Sequence, residues 1–199
     1  FISFSKLGEN NMCKENHKTL GTGKVLGLSE VVKGVFHLVV DISEMNVCPP
    51  AGQFFMLKAE KSNVFLTRPI SIYKIDKTEG KLKIHFLILQ LGKGTKELCE
   101  MEVGKSITLT GPLGNGFSAP ASNEKVAIIG GGIGVAPVAG FASTLKEKSY
   151  DFFACFKSGS YGIEDVKANK LFITTDKGSE GVKGMLPAVF NADLISKEK

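Results

Sequence analysis

The stretch Val126-Ala-Ile-Ile-Gly-Gly-Gly-Ile-Gly-Val-Ala-Pro137 runs from a continuous apolar segment straight into glycines. An uninterrupted apolar run is typical of a strand buried on both faces, and the pattern that follows favours a glycine turn, a helix and further buried strands. We predict a strand over 125–129, a turn over 130–134, a helix to about 148, strands over 151–156 and 170–174, and the start of another helix over 186–190. These elements form a β-α-β unit of a Rossmann-like α/β domain.

The glycine turn has the features of a dinucleotide-binding loop. Glycines let the backbone approach a phosphate closely, and the following helix offers free N–H groups and the positive end of its dipole. The spacing departs from G-x-G-x-x-G, because the sixth position counted from Gly130 is Val135. A tight turn with a purely structural role is therefore the alternative. The candidate dinucleotide contacts are Gly130, Gly131, Gly132, Ile133, Gly134, Ala136 and Pro137.

Before about residue 120 the pattern changes to short β-type segments separated by turns rich in glycine, proline and charge. Six strands and one short helix, at 95–102 with Thr95 as its N-cap, predict a small antiparallel barrel. The predicted strands cover 23–29, 35–41, 53–59, 70–74, 81–89 and 106–110. The chain thus divides into a lead-in (1–20), a barrel (21–119) and an α/β domain (120–199), and a cleft between unlike domains is a common cofactor site.

A single arginine, Arg68, stands among 25 basic residues, in the segment Arg68-Pro69-Ile70-Ser71. Its planar fork suits bidentate contact with a phosphate, and Pro69 fixes the backbone that presents the Ser71 hydroxyl. A solvated residue at a strand edge is the alternative. The glycines of Gly92-Lys93-Gly94-Thr95 would bring backbone N–H groups to a second phosphate oxygen, although a simple turn explains that segment as well.

Composition excludes several classes of protein. The chain is 43% hydrophobic and 23% charged, and none of its apolar runs approaches the length of a membrane span. The net charge of +5 is spread without a basic block, which argues against a nucleic acid partner. The four cysteines lie at least 35 positions apart, so they predict free thiols in the cytoplasm and no metal site. His37 and His85 are expected to be outward-facing or satisfied by hydrogen bonds.

Taken in order and at these separations, residues 68–71, 92–95, 111–117 and 130–137 resemble the ferredoxin–NADP reductase superfamily. Within it they most resemble the electron-transfer subunits of NAD-dependent dihydroorotate dehydrogenase. The resemblance extends from about residue 21 to 184. It includes a segment similar to that family's T-x-D-G-S-x-G-x-K-G, in which Lys177 replaces the acidic residue.

The resemblance implies a flavoprotein of pyrimidine biosynthesis that passes electrons between NAD(H) and a dihydroorotate dehydrogenase catalytic subunit. The barrel would bind FAD and the turn at 130–137 the NAD(H) pyrophosphate. The implied FAD contacts are Arg68, Pro69, Ile70, Ser71, Gly94 and Thr95, with Leu87, Ile88 and Leu89 contributing backbone contacts. The resemblance assigns no catalytic side chain.

Two departures from the family leave alternatives open. Relatives hold a [2Fe–2S] cluster with four cysteines near the C-terminus, which this chain lacks, and the α/β domain is short. A small subunit of an NAD(P)H–ferredoxin oxidoreductase or hydrogenase, and a non-catalytic nucleotide-binding module, are the alternatives. Lys157, Ser158 and Ser160 follow the second α/β strand and leave the choice between NADH and NADPH undecided.

Overall fold

A computed structural model describes residues 17–78, 80–121 and 124–191 of the chain. Six strands close into an antiparallel barrel in the spatial order β1-β2-β5-β4-β3-β6. They are β1 (Thr19–Val32), β2 (Val35–Asp41), β3 (Phe54–Ala59), β4 (Arg68–Thr78), β5 (Lys81–Leu89) and β6 (Ser106–Leu113). The predicted six-stranded barrel is confirmed, but β1 begins at Thr19, inside the predicted lead-in. Most of that lead-in lies outside the described residues.

The barrel core follows from period-2 alternation in the strands. In β2 the side chains of Leu38 and Val40 are buried in the core and Phe36 packs against it, whereas the alternate residues His37 and Val39 are only half-buried. Across the barrel the rings of Phe55 and Phe86 meet edge to face, with centroids 6.2 Å apart. Both rings are fully buried. The interior is therefore filled by side chains, and any ligand must bind on its outer surface.

The short helix α1 (Lys93–Cys99) begins and ends earlier than the predicted 95–102. The N-cap is Gly92 in an extended conformation, not Thr95. Thr95 is the third helical residue, and its hydroxyl accepts the N–H groups of Leu91 and Gly92 at 2.9 and 3.0 Å. In a capping box the side chain of the third helical residue accepts the N–H of the N-cap residue, and Thr95 has this role. Like the N-cap itself, this position lies near the start of the helix.

The second unit is a parallel sheet of order β10-β9-β8-β7. Its strands are β7 (Val126–Gly131), β8 (Tyr150–Phe156), β9 (Lys170–Thr175) and β10 (Val182–Lys183), and its helix is α2 (Val135–Ala142). The predicted helix to residue 148 is therefore too long, because the Ser143 and Thr144 hydroxyls donate back to the Gly140 and Phe141 carbonyls at 2.7 Å.

Two smaller expectations fail as well. The helix predicted to begin over 186–190 is a single 3₁₀ turn, Leu186–Ala188. Cys48 is disulfide-bonded, whereas Cys99 and Cys155 are free thiols as expected. Neither α-helix in the described part of the chain is long enough to span a membrane.

Helix α2 packs directly against β4 of the barrel. Gly140 lies over the main chain of Tyr73, so closely that a methyl group added there would overlap the Tyr73 carbonyl oxygen. The rings of Phe117 and Phe141 lie 4.9 Å apart beside this contact. A salt bridge of 2.6 Å between Lys74 and Asp165 joins β4 to the loop after β8. The two units therefore meet along β4, the strand that begins with the single arginine.

Candidate functional site

Arg68 and Gly94, which lie 26 positions apart in the sequence, are in contact in the structure. Arg68 is the first residue of β4, and Gly94 is buried in the first turn of α1. The guanidinium lies across the glycine, so that a methyl group at Gly94 would overlap Nε and come within 2.9 Å of Cζ. The structure thus brings together the segments 68–71 and 92–95, each of which the sequence suggested as a phosphate-binding segment.

The Arg68 guanidinium has no anionic partner among the described residues. It makes one hydrogen bond there, from Nη1 to the Thr67 carbonyl at 3.4 Å, and no salt bridge. The side chain is half-buried, so it has given up part of its hydration without gaining a carboxylate. Such a charge is unfavourable unless something pairs with it. A site of this kind fits a bound phosphate or pyrophosphate.

The rest of the flavin segment lies along the first residues of β4. Ser71 and Ile70 are half-buried, and Pro69 is exposed. Ser71 pairs in register with Phe54 of β3. Three residues further, Lys74 already belongs to the contact with the α/β unit. The segment therefore leads from Arg68 toward the junction between the two units.

The predicted contacts on β5 divide by the direction of their side chains. Ile88 is fully buried in the barrel core, so its side chain is directed away from any surface ligand. Leu87 is also buried, but against the other unit: a side chain at Gly162 would come within 2.6 Å of its Cδ1. Leu89 is half-buried. The burial of Leu87 and Ile88 is compatible with the main-chain contacts that the sequence predicts for this stretch.

The glycine turn leaves β7 as a 3₁₀ turn, Gly132–Gly134, and enters α2 at Val135. Gly132 adopts a left-handed φ of 51°, which favours glycine. A side chain at Gly134 would meet nothing within 4 Å, so this part of the turn faces open space. Gly130 and Ala136 are buried beneath it and support the turn. The open edge lies at the carboxyl end of the parallel strands, where nucleotides bind in sheets of this type.

Gly162, in the loop after β8, joins the two candidate half-sites. With a φ of 70° it approaches Leu87 of β5 on one side and Val135 of α2, 3.4 Å from the position of its absent Cβ, on the other. The 3₁₀ turn at Gly132–Gly134 also lies beside β5. The structure therefore places the glycine turn next to the strand nominated for the flavin.

Sequence reasoning missed a histidine pair beneath this junction. His37 Nε2 and His85 Nδ1 are hydrogen-bonded at 3.0 Å, and the two rings stack with centroids 5.1 Å apart. The ring of Tyr73 meets His37 edge to face, and the Tyr73 hydroxyl donates to Glu164 at 3.4 Å. The expectation of satisfied histidines holds only in part, because His85 Nε2 is buried without a partner among the described residues. Only the register of β2 against β5 brings the rings together, and the sequence does not display it.

Burial lowers the pKa of both histidines, and that of His85 falls to about 4. The charge of the neighbouring His37, followed by that of Lys74, also lowers the pKa of His85, whereas Asp76 opposes them. For His37, Glu164 opposes the effect of burial. The pair is therefore neutral at pH 7.

This pair predicts an acid-sensitive fold. Because the folded-state pKa lies below the unfolded value of 6.5, the unfolded chain binds more protons. The free energy of unfolding is then undiminished above pH 6.5 and falls as the pH drops from 6.5 toward 4. We expect a loss of about 1–2 kcal/mol from this source after allowing for partial exposure, or several degrees in Tm. Thermal melts at pH 7 and pH 5 measure it.

The matched variant is H85Q, with H17Q, at an exposed histidine, as its control. H85Q should narrow the difference in Tm between pH 7 and pH 5, because glutamine does not titrate in this range. H17Q should leave that difference as in the wild type. An H85Q protein with the full wild-type loss of stability at pH 5 would contradict the assignment.

A second feature that the sequence did not reveal is a pair of clamps that hold loops in place. Glu97 of α1 accepts hydrogen bonds from the Ser62 hydroxyl and from the Asn63 N–H, which ties the loop before Arg68 to the helix. Glu180 accepts both the N–H and the hydroxyl of Ser160 at 2.7 Å. The donors of Ser160 are thereby already engaged. No residue close in sequence to Glu97 or Glu180 indicates which serine its carboxylate binds.

Comparison with known proteins agrees with this geometry. The profile of a family described as "Oxidoreductase FAD-binding domain" matches residues 28–117, most of the barrel. The electron transfer subunit of dihydroorotate dehydrogenase B (NAD(+)) from Clostridium acetobutylicum is 40% identical over 172 residues, 85% of this chain and 67% of that protein. The subunit from Streptococcus pneumoniae strain R6 is 35% identical, over 89% of this chain and 71% of that protein.

The chain belongs to this family of electron transfer subunits. It is an FAD-binding oxidoreductase subunit, and it spans about two thirds of the length of these curated relatives. No three side chains of the metal-ligating types cluster in the described part of this electron transfer subunit.

Solved structures share the fold of the electron transfer subunit. The NADH-dependent reduced ferredoxin-NADP oxidoreductase of flavin-based electron bifurcation superposes with a TM-score of 0.70 at 23% identity, over 89% of this chain and 64% of that one. The ferredoxin NADP+ reductase from Neisseria gonorrhoeae gives 0.68 at 16% identity, over 89% of this chain and 78% of that one. These likenesses confirm the barrel followed by a parallel sheet with a helix.

Proposed function

We propose that FAD bound to this subunit accepts electrons from NADH, and that the subunit passes them to a dihydroorotate dehydrogenase catalytic subunit. The barrel, about residues 21–119, binds FAD, and the residues after 120 bind NAD(H). Bound FAD supplies a hydride acceptor that can also release electrons singly, and the protein supplies binding and orientation. The observation that carries the proposal is the unpaired Arg68 guanidinium lying on Gly94.

The role of the barrel residues follows from their placement. Arg68 pairs with the FAD pyrophosphate, because its half-buried guanidinium has no anionic partner among the described residues. Ser71 follows Arg68 along β4 toward the contact with α2, and Leu87 borders Gly162 of the α/β unit. Ser71 and the main chain of Leu87 therefore hold the ring end of the cofactor. Pro69 and Ile70 shape the wall between these points, and Thr95 fixes the turn that holds Gly94.

The glycine turn is proposed to hold the NAD(H) pyrophosphate. The open space at Gly134 and the neighbouring β5 support this role, because a nucleotide on the turn would extend toward the ring end of the FAD site. The buried hydroxyl Thr174 Oγ1 has no hydrogen-bond partner in the described part of the chain, and it lies at the same edge of the sheet, beside Cys155 in register. The turn residues orient the nicotinamide toward the junction around Gly162.

A substitution at Gly134 separates this role from folding. Gly134 has an ordinary φ of −65° and open space around it, so alanine fits the backbone without a clash. We expect G134A to keep its Tm and its FAD affinity but to bind NADH about tenfold more weakly, because the added methyl group prevents close approach of a phosphate. The dependence of the anaerobic flavin reduction rate on NADH concentration, followed by stopped flow, measures this. Unchanged NADH affinity would assign the turn a purely structural role.

The catalytic partner is proposed from the names of the relatives. Among the described residues, Cys48 lies in a loop, Cys99 in α1 and Cys155 in β8, so they do not form a ligand set for a cluster. Onward electron transfer therefore needs an acceptor that this part of the chain does not provide. Co-purification of a dihydroorotate dehydrogenase catalytic subunit would support the proposal.

The test of the proposal as a whole is optical. Protein purified with added FAD should show the absorbance bands of an oxidised flavin, and anaerobic NADH should bleach them. Absence of bound flavin would refute the function of the barrel. Bound flavin that NADH does not reduce would favour the alternative of a non-catalytic nucleotide-binding module.

A further inference from the structure

Three exposed apolar side chains, Phe65, Leu66 and Leu91, lie within three positions of Arg68 or Gly94 in the sequence, and we call them the apolar patch. Phe65 is 91% exposed, Leu66 64% and Leu91 82%. Phe65 and Leu66 are separated from Arg68 by Thr67 alone, and Leu91 directly precedes the Gly92–Thr95 turn. Because Arg68 and Gly94 are in contact, both parts of the patch flank the same point on the surface.

The loop that carries Phe65 is held in place by hydrogen bonds. Glu97 of α1 binds Ser62 and Asn63, and the Ser62 hydroxyl accepts the Val64 N–H at 3.1 Å. On the other side, Lys58 Nζ donates to the Phe65 carbonyl at 3.5 Å. An anchored main chain thus presents an aromatic ring to solvent, an arrangement that loses little further entropy when a ligand covers the ring.

The patch lies on one side of Arg68 along the chain, and the ring end of the FAD site lies on the other. Ser71 and the junction with α2 follow Arg68 along β4, whereas Phe65 comes three residues before it. Three residues span at most about 10 Å. A dinucleotide that binds in an extended conformation with its pyrophosphate on Arg68 places its two aromatic ends on opposite sides of that residue.

We propose that Phe65 stacks on the adenine of FAD, with Leu66 and Leu91 as the apolar rim of that adenine site. This inference rests on the proposed FAD function and adds the residues that distinguish FAD from FMN. Stacking of a base on an aromatic ring needs a free, flat face, and Phe65 supplies one at the required side of the phosphate site. Arg68 binds phosphate in both FAD and FMN, whereas the apolar patch contacts the adenine that only FAD carries.

The test compares the affinities of the same protein for FAD and FMN. Apoprotein of the wild type, F65A and F65Y is titrated with each cofactor, by calorimetry or flavin fluorescence. We expect F65A to lose about tenfold in FAD affinity and little in FMN affinity, and F65Y to retain both. L20A, at an exposed leucine on β1, is the matched control and should change neither.

Three outcomes would overturn the assignment. Equal loss of FAD and FMN in F65A would mean that the loop acts only by positioning Arg68. No loss of either, together with failure of F65A to retain a catalytic subunit that the wild type binds, would mean that the patch contacts a protein. If the wild-type protein bound FMN as tightly as FAD, the adenosine half would add no affinity. The adenine site would then be ruled out, and flavin binding by the barrel would still stand.

Discussion

Replacing Arg68 with alanine is expected to weaken FAD binding about 10- to 100-fold without destabilising the apoprotein. The magnitude is that of hydrogen bonds made by a charged group. The second half of the expectation follows from the structure, in which the guanidinium is half-buried and has no anionic partner among the described residues. Removing an unpaired charge relieves its desolvation, so the apoprotein should melt at the same temperature or slightly higher.

The measurement is a pair of thermal melts, with and without saturating FAD, together with a binding titration. In the wild type FAD should raise Tm, and in R68A most of that increase should disappear. R68K separates charge from geometry: lysine keeps the charge but not the planar fork, so its affinity should lie between those of the wild type and R68A. K24A removes one charge elsewhere on the barrel, at an exposed position, and serves as control.

Gly94 offers an independent way to disturb the same site. A methyl group there would overlap Arg68 Nε, and the flexible arginine would have to move away. G94A should therefore lose FAD affinity with Arg68 still present. If R68A and R68K both bound FAD as tightly as the wild type, Arg68 would be an ordinary residue at a strand edge, and the proposed cofactor site would be wrong.

The sequence predicted the barrel because strand-length segments rich in β-branched and aromatic residues are a local signal and the turns are marked by glycine and proline. It also identified both phosphate-binding candidates, because glycines and a single arginine stand out in composition. The contact between Arg68 and Gly94 could not be predicted from such local signals. It depends on the closure of the barrel, which brings the start of β4 beside α1.

The incorrect helix boundaries and the missed side-chain contacts also have physical causes that local sequence patterns do not show. The end of α2 at Ala142 is set by side-chain hydroxyls that return to the main chain, a competition that apolar periodicity does not register. Thr95 has the residue type of an N-cap, yet Gly92 takes that position. The His37–His85 pair and the two glutamate clamps arise from register and loop packing. All of them are long-range in sequence, and a single sequence carries no record of such contacts.

Replacing Gly140 with alanine is expected to loosen the contact between the two units. Helix propensity alone favours alanine over glycine by about 1 kcal/mol, so a purely local argument predicts a more stable protein. Packing predicts the opposite, because the new methyl group would overlap the Tyr73 carbonyl oxygen and lie 3.4 Å from that of Ile72. Both neighbours are main-chain atoms of a strand inside a closed barrel, so they cannot move aside.

We expect packing to dominate. Overfilling a rigid contact costs about 1–3 kcal/mol, which corresponds to a decrease in Tm of several degrees for a chain of this size. The functional effect should be larger, because α2 follows directly on the glycine turn, and a small displacement of the turn misplaces the nicotinamide. FAD affinity should remain, since Arg68 and Gly94 belong to the barrel, whereas flavin reduction by NADH should slow at least about tenfold.

The control is G27A, on β1, where the added methyl group would find ordinary contacts with Val39 at 3.8 Å or more. Stopped-flow reduction by NADH and thermal melts of both variants give the comparison. If G140A melted higher than the wild type and reduced its flavin at the normal rate, helix propensity would govern this position and the two units would not depend on a close contact. If its Tm decreased together with its FAD affinity, the barrel itself would need α2, and electron transfer and flavin binding would share one structural unit.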